Sequence, residues 1–386
     1  VTPAPDGPFA LLHRPGDGPG LDILRGPVRR CARLADLGPD LDAGGTRLVV
    51  LPYRQIAERG LACHDDHEPL LVMDVVERER TTVADFVAGV DDTVPPLADV
   101  GPDVDDEAYA AMVDRVVGHE IHRGEGANFV LSRSVLGRFT TFSPAVARAV
   151  FARLLTGESG AYWTFLVHTG DRYLIGSTPE QHARLDGTAL SMNPISGTYR
   201  YPDGGPERAG VAEFLADAKE TDELFMVVDE ELKMMAALCD RDVAVTGPEL
   251  RPMSRLAHTG YRLRGWCDRP LAEVLGTTMF APTVTGSPLA SACRVIRAHE
   301  RGGRGYYSGV LALVGPGRAL DSAILIRTVD VAADGRFRLT TGATVVRDSV
   351  GRAEAAETTA KCTAVLGAMT GAGPPGGAED PAVPLA

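Results

Sequence analysis

Short apolar runs of strand length alternate with stretches of helical period along almost the whole of this chain, and that alternation restricts its fold more than any other feature. Strand-like runs cover 47–53 and 70–76, then 129–132, 162–168, 173–175 and 190–193, and they resume at 261–266, 306–314, 322–331 and 336–341. Helical spacing is read near 106–122, from about 206 to 238, near 288–300 and over 352–369. Interleaving of this kind predicts an α+β (mixed α/β) protein with large mixed sheets, and no period of solenoid length is present. Residues 91–106, dense in Asp and Pro, read as a linker. The stretch from Gly371 through Pro384 reads as a flexible tail or the stub of an interdomain linker.

With 386 residues and 44% hydrophobic content, the chain can bury a sizeable core as two ordinary domains or one intertwined one. Its formal net charge of −13, without a basic run, argues against a nucleic-acid surface, because phosphate contacts need clustered Lys and Arg. No apolar run approaches the roughly 20 residues that span a bilayer, and the Pro/Gly-rich start lacks the order of a signal peptide. A cytoplasmic protein without a membrane partner is expected. The six cysteines are scattered with no C-x-x-C pair, so neither a zinc ribbon nor a disulfide framework is expected.

Two acidic repeats carry the first chemical signal: Glu220-x-x-Glu223, and Glu354-x-x-Glu357 with Lys361 one turn later. At i,i+3 spacing on a helix, both carboxylates leave from one face. Most such pairs are solvated helix faces. Lysine usage favours chemistry: Lys219, Lys233 and Lys361 are the only lysines, and two of them sit in or beside the repeats. A compact ammonium there is not replaceable by a planar guanidinium. Four carboxylates from two facing helices form an all-oxygen set of the kind Mg²⁺ selects.

Other motifs are weak. His119-Glu120-Ile121-His122 has the wrong spacing for a zinc protease, and Cys63, His64 and His67 lack further ligands. Gly302-Gly303-Arg304-Gly305 follows a helix rather than a strand, which disfavours a dinucleotide fold. No G-x-S-x-G or G-x-C-x-G elbow occurs, so the chain has no recognisable glutaminase nucleophile.

The order of the remaining motifs is distinctive. Ser177-Thr178-Pro179-Glu180 is followed by Asn193-Pro194-Ile195-Ser196-Gly197-Thr198, the Glu220/Glu223 repeat, His258 and Thr283-Val284-Thr285-Gly286-Ser287-Pro288. Then come Tyr307-Ser308-Gly309, Ile326-Arg327-Thr328, Gly342-Ala343-Thr344, Asp348-Ser349 and the Glu354/Glu357/Lys361 repeat. In order and spacing, from about 125 to 368, this set resembles the chorismate-utilising family of anthranilate, aminodeoxychorismate, isochorismate and salicylate synthases. The resemblance implies an anthranilate synthase component I-like fold with large, mostly antiparallel sheets flanked by helices. It also implies a divergent N-terminal part over 1–104, a chorismate-binding catalytic region over 105–370 and a tail over 371–386.

Within that resemblance, three reactions separate by residue type. The branch that adds water at C2 has a Lys base where this chain has Asn128, and the branch that aminates C4 has a nucleophilic Lys where this chain has Ser196. Attack by ammonia at C2 remains. The 193–200 and 52–60 segments look like the 2-amino-2-deoxyisochorismate synthases of phenazine and enediyne pathways, which retain the enolpyruvyl group. His258, associated by the resemblance with pyruvate elimination, keeps anthranilate synthase as the alternative; a non-catalytic, metal-dependent scaffold is a remote one. Leu11-Leu12-His13-Arg14 differs from the L-L-E-S element tied to tryptophan feedback, so no tryptophan inhibition is expected.

The site implied by the resemblance has Mg²⁺ held by Glu223 and Glu357, with Glu220 and Glu354 acting through water. Glu180 is the candidate general acid for the C4 hydroxyl, with its pKa raised by burial. Tyr307 and Arg327 are expected on the enolpyruvyl carboxylate, and the amides of Gly342 and Ala343 with Thr283 on anionic oxygens. Ser196 contributes to the substrate surface, and Lys361 balances the carboxylates. Plain structural roles stay open: Arg327 as a buried ion pair, Glu180 as a turn cap, His258 as a satisfied core histidine, Thr283 and Tyr307 as packing. Ammonia is expected from a separate or fused glutamine amidotransferase. A homodimer is compatible with the family.

Overall fold

The computed structural model describes residues 7–37, 41, 44–202, 205–252 and 256–371, apart from the side chains of 218–223. Two ten-stranded antiparallel sheets organise them. The first runs, edge to edge, β16 (Gly286–Ser287), β8 (Asn128–Phe139), β20 (Arg336–Val345), β19 (Thr328–Ala332), β10 (Arg172–Thr178), β9 (Trp163–His168), β1 (Phe9–His13), β2 (Gly20–Arg25) and β6 (Glu77–Thr82), with β7 (Leu97–Pro102) also paired to β8. The second runs β13 (Ile195–Arg200), β15 (Leu256–Trp266), β12 (Ala189–Met192), β11 (Gln181–Asp186), β18 (Ala319–Ile324), β17 (Val310–Gly315), β4 (Arg47–Leu51), β5 (Leu70–Asp74) and β3 (Val28–Cys31), with β14 (Arg241–Pro252) paired to β15. The helices are α1 (Val83–Ala88), α2 (Asp106–Val116), α3 (Pro144–Gly157), α4 (Arg208–Ala216), α5 (Ala218–Leu238), α6 (Leu271–Thr278), α7 (Leu289–His299) and α8 (Gly351–Thr370).

Period-two alternation explains the layering. In β4, Leu48 and Val50 join the core between the two sheets while Val49 and Leu51 join the core under the helices of the second sheet. In β1, Ala10 and Leu12 face the intersheet core, and Phe9 and Leu11 face the cluster beneath α3 and α8. Both sheets are thus buried on two faces, which is why their strands read as continuous apolar runs. The order is helices, sheet, sheet, helices. Strands from 9 to 82 complete both sheets, so the N-terminal part shares its cores with the rest of the chain. Arg14 adds a polar tie between them, pairing with Asp22 of β2 at 3.0 Å and Asp321 of β18 at 3.4 Å.

Several elements differ from the sequence reading. Residues 91–106 include the edge strand β7 instead of forming only a linker. The helical stretch from 206 is two helices, broken at Asp217, whose extended backbone (ψ 124°) ends α4. Residues 322–331 are two strands in different sheets, and 306–309 form a turn before β17. Apolar character alone carries none of these breaks. The expected tail beyond Gly371 lies outside the described residues.

Candidate active site

The chain crosses between the sheets twice at the same place. At Pro179–Glu180 it leaves β10 of the first sheet for β11 of the second, and at Leu325–Arg327 it returns from β18 to β19. The crossovers are bonded to each other: Thr178 Oγ1 donates to the Ile324 carbonyl (2.7 Å), Ile324 N–H to the Glu180 carbonyl (3.2 Å), and Ser177 N–H to the Arg327 carbonyl (3.2 Å). Arg327 turns the corner with φ of 50°, so it sits in a turn, not inside a strand as its apolar neighbours suggested. Beside this seam opens a cleft. Glu180, Ser196, His258, Thr283, Tyr307, Arg327, Gly342 and Lys361 all line it, so most of the sequence-predicted residues converge.

Glu180 is 1% exposed, and burial lifts its pKa from 4.5 to about 8 against the opposing effects of Thr283, the Ile195 amide, Arg251 and Lys361. The Ile195 N–H reaches Glu180 Oε1 at 3.4 Å. Near neutral pH this carboxyl carries its proton. The buried Thr283 hydroxyl beside it makes no well-formed hydrogen bond among the described residues.

His258, on β15, is held at both ring nitrogens. Nδ1 lies 3.2 Å from the Gly197 carbonyl and 3.2 Å from Thr198 Oγ1, while Nε2 lies 3.1 Å from Arg327 Nη2. A guanidinium only donates, so Nε2 accepts and Nδ1 carries the hydrogen. Burial, then Arg327 and Lys361, push its pKa down to about 3. It is a neutral imidazole and a weak base. Burial also lowers the Arg327 pKa, with Glu158 opposing.

The wall opposite is β20. Beyond its pairing with β19, which ends at Leu339, one edge of β20 is open toward the cleft. Gly342 is required there, because a β-carbon would sit 2.5 Å from the Tyr307 hydroxyl and 2.9 Å from the Leu131 carbonyl. Tyr307 lies over the buried Arg304 (5.6 Å from Cζ to ring centroid), and burial raises its pKa. Lys361 Nζ donates to the Gly342 carbonyl at 3.1 Å, which turns the polar groups of residue 342 to the open edge. By strand alternation those of Ala343 turn to Leu131 of β8, and Ala343 is fully buried and does not line the cleft. The expectation for the Ala343 amide is therefore corrected.

On α8, Glu354 is 3% exposed and Glu357 pairs through Oε1 with Lys361 Nζ at 2.6 Å. The side chains of Glu220 and Glu223 lie outside the described residues. Carboxylate oxygens are hard donors, and Glu354 and Glu357 leave one face of α8 at i,i+3 spacing, so the donors on α8 fit Mg²⁺. Asn128 is fully buried, accepts from the Ser287 N–H at 2.7 Å and is absent from the cleft wall.

Sequence reasoning missed Thr198 as the His258 partner, Arg251 near Glu180, and Glu231, a carboxyl 2% exposed on α5. For Glu231 a signal existed. Leu224, Val227, Val228, Met234, Met235 and Leu238 form the buried stripe of α5, and Glu231 interrupts it.

The family model described as chorismate binding enzyme matches residues 77–367. The chain belongs to that family. Among its relatives, the phenazine-specific anthranilate synthase of Pseudomonas chlororaphis is 48% identical over 384 residues, covering 97% of this chain and 60% of the relative. The counterpart from Pseudomonas fluorescens is 49% identical over 380 residues, with 96% and 59% covered. The chain thus spans about three fifths of the length of those relatives. Anthranilate synthase component I from Streptococcus pneumoniae superposes with a TM-score of 0.74 at 20% identity, covering 95% of this chain and 93% of that one. That likeness establishes the antiparallel, helix-flanked fold which the sequence motifs implied.

Proposed function

We infer that this chorismate-binding enzyme aminates chorismate at C2 with loss of the C4 hydroxyl and keeps the enolpyruvyl group, giving 2-amino-2-deoxyisochorismate. The observation that carries the reading is the state of the lysines. Among the described residues Lys361 is the one lysine of the cleft, and it is tied to Glu357 and the Gly342 carbonyl. Lys233 is 60% exposed on α5, in ion pairs with Asp229 and Glu230. Activating a water or forming an amine-linked intermediate needs an unengaged amine against the ring. External ammonia needs none. The names of the two phenazine-specific relatives support an aminating reaction.

Glu180 supplies the proton that turns the departing C4 hydroxyl into water. Arg327 and Tyr307 hold the enolpyruvyl carboxylate, with Thr283 and the Gly342 amide on the remaining anionic oxygens. Glu223 and Glu357, backed by Glu220 and Glu354, are the residues to hold Mg²⁺. When bound, that ion neutralises the ring carboxylate and withdraws electron density from the conjugated system. Lys361 fixes the orientation of Glu357 against β20.

The alternative, anthranilate synthase, rests on His258 in the cleft wall, since aromatisation requires a base to remove the C2 proton. An imidazole with a pKa of about 3, its Nε2 occupied by Arg327, is poorly suited to that task. A test incubates the chain with chorismate, Mg²⁺ and ammonium, then follows the product by mass spectrometry and pyruvate by a coupled assay. An aminated product that retains the enolpyruvyl group, without pyruvate, is expected. Stoichiometric pyruvate overturns this reading in favour of anthranilate. Ammonia comes from a separate or fused glutamine amidotransferase, so glutamine alone gives no turnover; turnover with it would reveal a glutaminase site in this chain.

A further inference from the structure

Arg304 stands behind the cleft without lining it, and the mechanism above gives it no task. It lies in the Gly302-Gly303-Arg304-Gly305 run that connects α7 to β17. Its guanidinium pairs with Glu300, just past the end of α7, and the two side chains are 1% and 5% exposed. Every N–H of the fork is used. Nε donates to Glu300 Oε2 (2.9 Å), Nη1 to the Val284 carbonyl (2.7 Å) and to Ser308 Oγ (3.0 Å), and Nη2 to the Val130 carbonyl (2.7 Å) and to Glu300 Oε1 (2.5 Å). Glu300 Oε1 also accepts the Ser132 N–H at 2.8 Å. The guanidinium carbon lies 5.6 Å from the Tyr307 ring centroid and 4.9 Å from that of Tyr53, and the Tyr307 N–H donates to the Arg304 carbonyl at 3.1 Å.

These contacts join separate segments of the cleft wall. Val130 belongs to β8, Val284 follows Thr283 in the loop after α6, and Ser308 follows Tyr307 in the turn before β17. Val130, Val284 and Tyr307 all line the cleft. We propose that Arg304, held by Glu300, is a positioning residue that acts through Tyr307, fixing its hydroxyl against Gly342 where the enolpyruvyl carboxylate is to sit. This rests on the reading of Tyr307 as an anion holder, and not on which product forms. Stability alone does not account for the pair, because a buried ion pair adds little over apolar packing of the same volume. Direction does account for it. A planar fork ties the Tyr307 turn to β8 and to the 283–285 loop at fixed angles, whereas an ammonium offers a point charge with three donors and no plane to lay against a ring.

The test measures chorismate affinity by calorimetry in the presence of Mg²⁺, together with kcat/KM, for wild type, Arg304→Lys, Tyr307→Phe and the double variant. Melting temperatures are recorded, and affinities are measured well below them. Tyr307→Phe removes a hydrogen bond to a charged group and should weaken chorismate binding about 10–100-fold. Arg304→Lys leaves the ring in place without its hold and should weaken binding about tenfold. The double variant should match Tyr307→Phe to within about threefold, because both changes remove the same contact. Arg304→Lys that melts lower yet binds chorismate within about threefold of wild type overturns the proposal, and so does a double variant whose losses multiply. A packing role alone gives one of those two results. If Arg304→Lys does not fold, Ser308→Ala takes its place in the cycle, since it removes the guanidinium's acceptor next to Tyr307 and leaves the ion pair whole. A loss from Ser308→Ala that disappears in the Tyr307→Phe background supports the proposal; wild-type affinity or a multiplying loss overturns it. Tyr307→Phe with wild-type affinity overturns the anion reading of Tyr307 and this proposal with it, an outcome separate from losses that multiply.

Discussion

Replacing Glu180 by Gln should make this enzyme slower and, at mildly alkaline pH, more stable. The amide keeps the shape of the side chain and an oxygen for the Ile195 N–H, but it cannot donate the proton of a carboxylic acid. Loss of a general acid costs about 10²–10⁴ in rate, so kcat should fall by that factor with chorismate affinity retained. The stability effect follows from linkage. In the unfolded chain a Glu ionises near 4.5, whereas in the cleft it ionises at about 8. Between those values the unfolded state releases a proton that the folded state keeps, so the stability this group contributes is complete below pH 4.5 and is lost as pH rises toward 8. A gap of that size corresponds to about 5 kcal/mol, taken as an upper bound because the site can relax. Glu180→Gln lacks this loss. Urea unfolding of both proteins at pH 5 and pH 8 should show the variant gaining several kcal/mol relative to wild type at the higher pH. Equal pH dependence of stability, or a rate within threefold of wild type, would refute the burial argument.

Gly342→Ala drives a methyl toward the Tyr307 hydroxyl and the Leu131 carbonyl; overpacking of this kind costs about 1–3 kcal/mol, so a lower melting temperature and a KM for chorismate raised about tenfold are expected. Lys361→Met removes the 2.6 Å contact to Glu357 and the bond to β20. The Mg²⁺ concentration for half-maximal rate should rise about 10–100-fold, and an unchanged Mg²⁺ titration would count against the role given to Lys361. Tryptophan at micromolar concentration should leave the rate unchanged, because Arg14 at the variant Leu11-Leu12-His13-Arg14 element is committed to Asp17, Asp22 and Asp321.

The candidate cleft was more legible in the sequence than the secondary structure around it. Glu180, His258, Thr283, Tyr307, Arg327 and Lys361 were marked by ordered motifs, and the cleft collects them because the strand ends, turns and crossovers that carry the first five meet at one seam, against which α8 sets Lys361. Breaks in regular structure were less visible. Arg327 follows the apolar run Ile324–Ile326 and precedes the strand-forming Thr328 and Val329, and only tertiary context bends its backbone to positive φ and sends the next strand to another sheet. The 91–106 segment read as a linker because its edge strand β7 has few apolar residues and pairs on one side only. Ala343 was legible as motif but not as geometry, since one residue of register decides which way a backbone amide points. Glu231 lay outside every motif, although its interruption of an apolar stripe was readable.

The doubled sheet crossover has a mechanical meaning beyond the chemistry it frames. Glu180 ends one passage and Arg327 the other, so the span between the proposed acid and the proposed anion anchor is gauged by the spacing of two rigid slabs, not by the conformation of a loop. Side chains that fill the gap between the slabs, such as Trp163, Phe165 and Leu311, act as shims. Trimming one of them would retune the reaction geometry from a distance, without altering a single residue that touches the substrate.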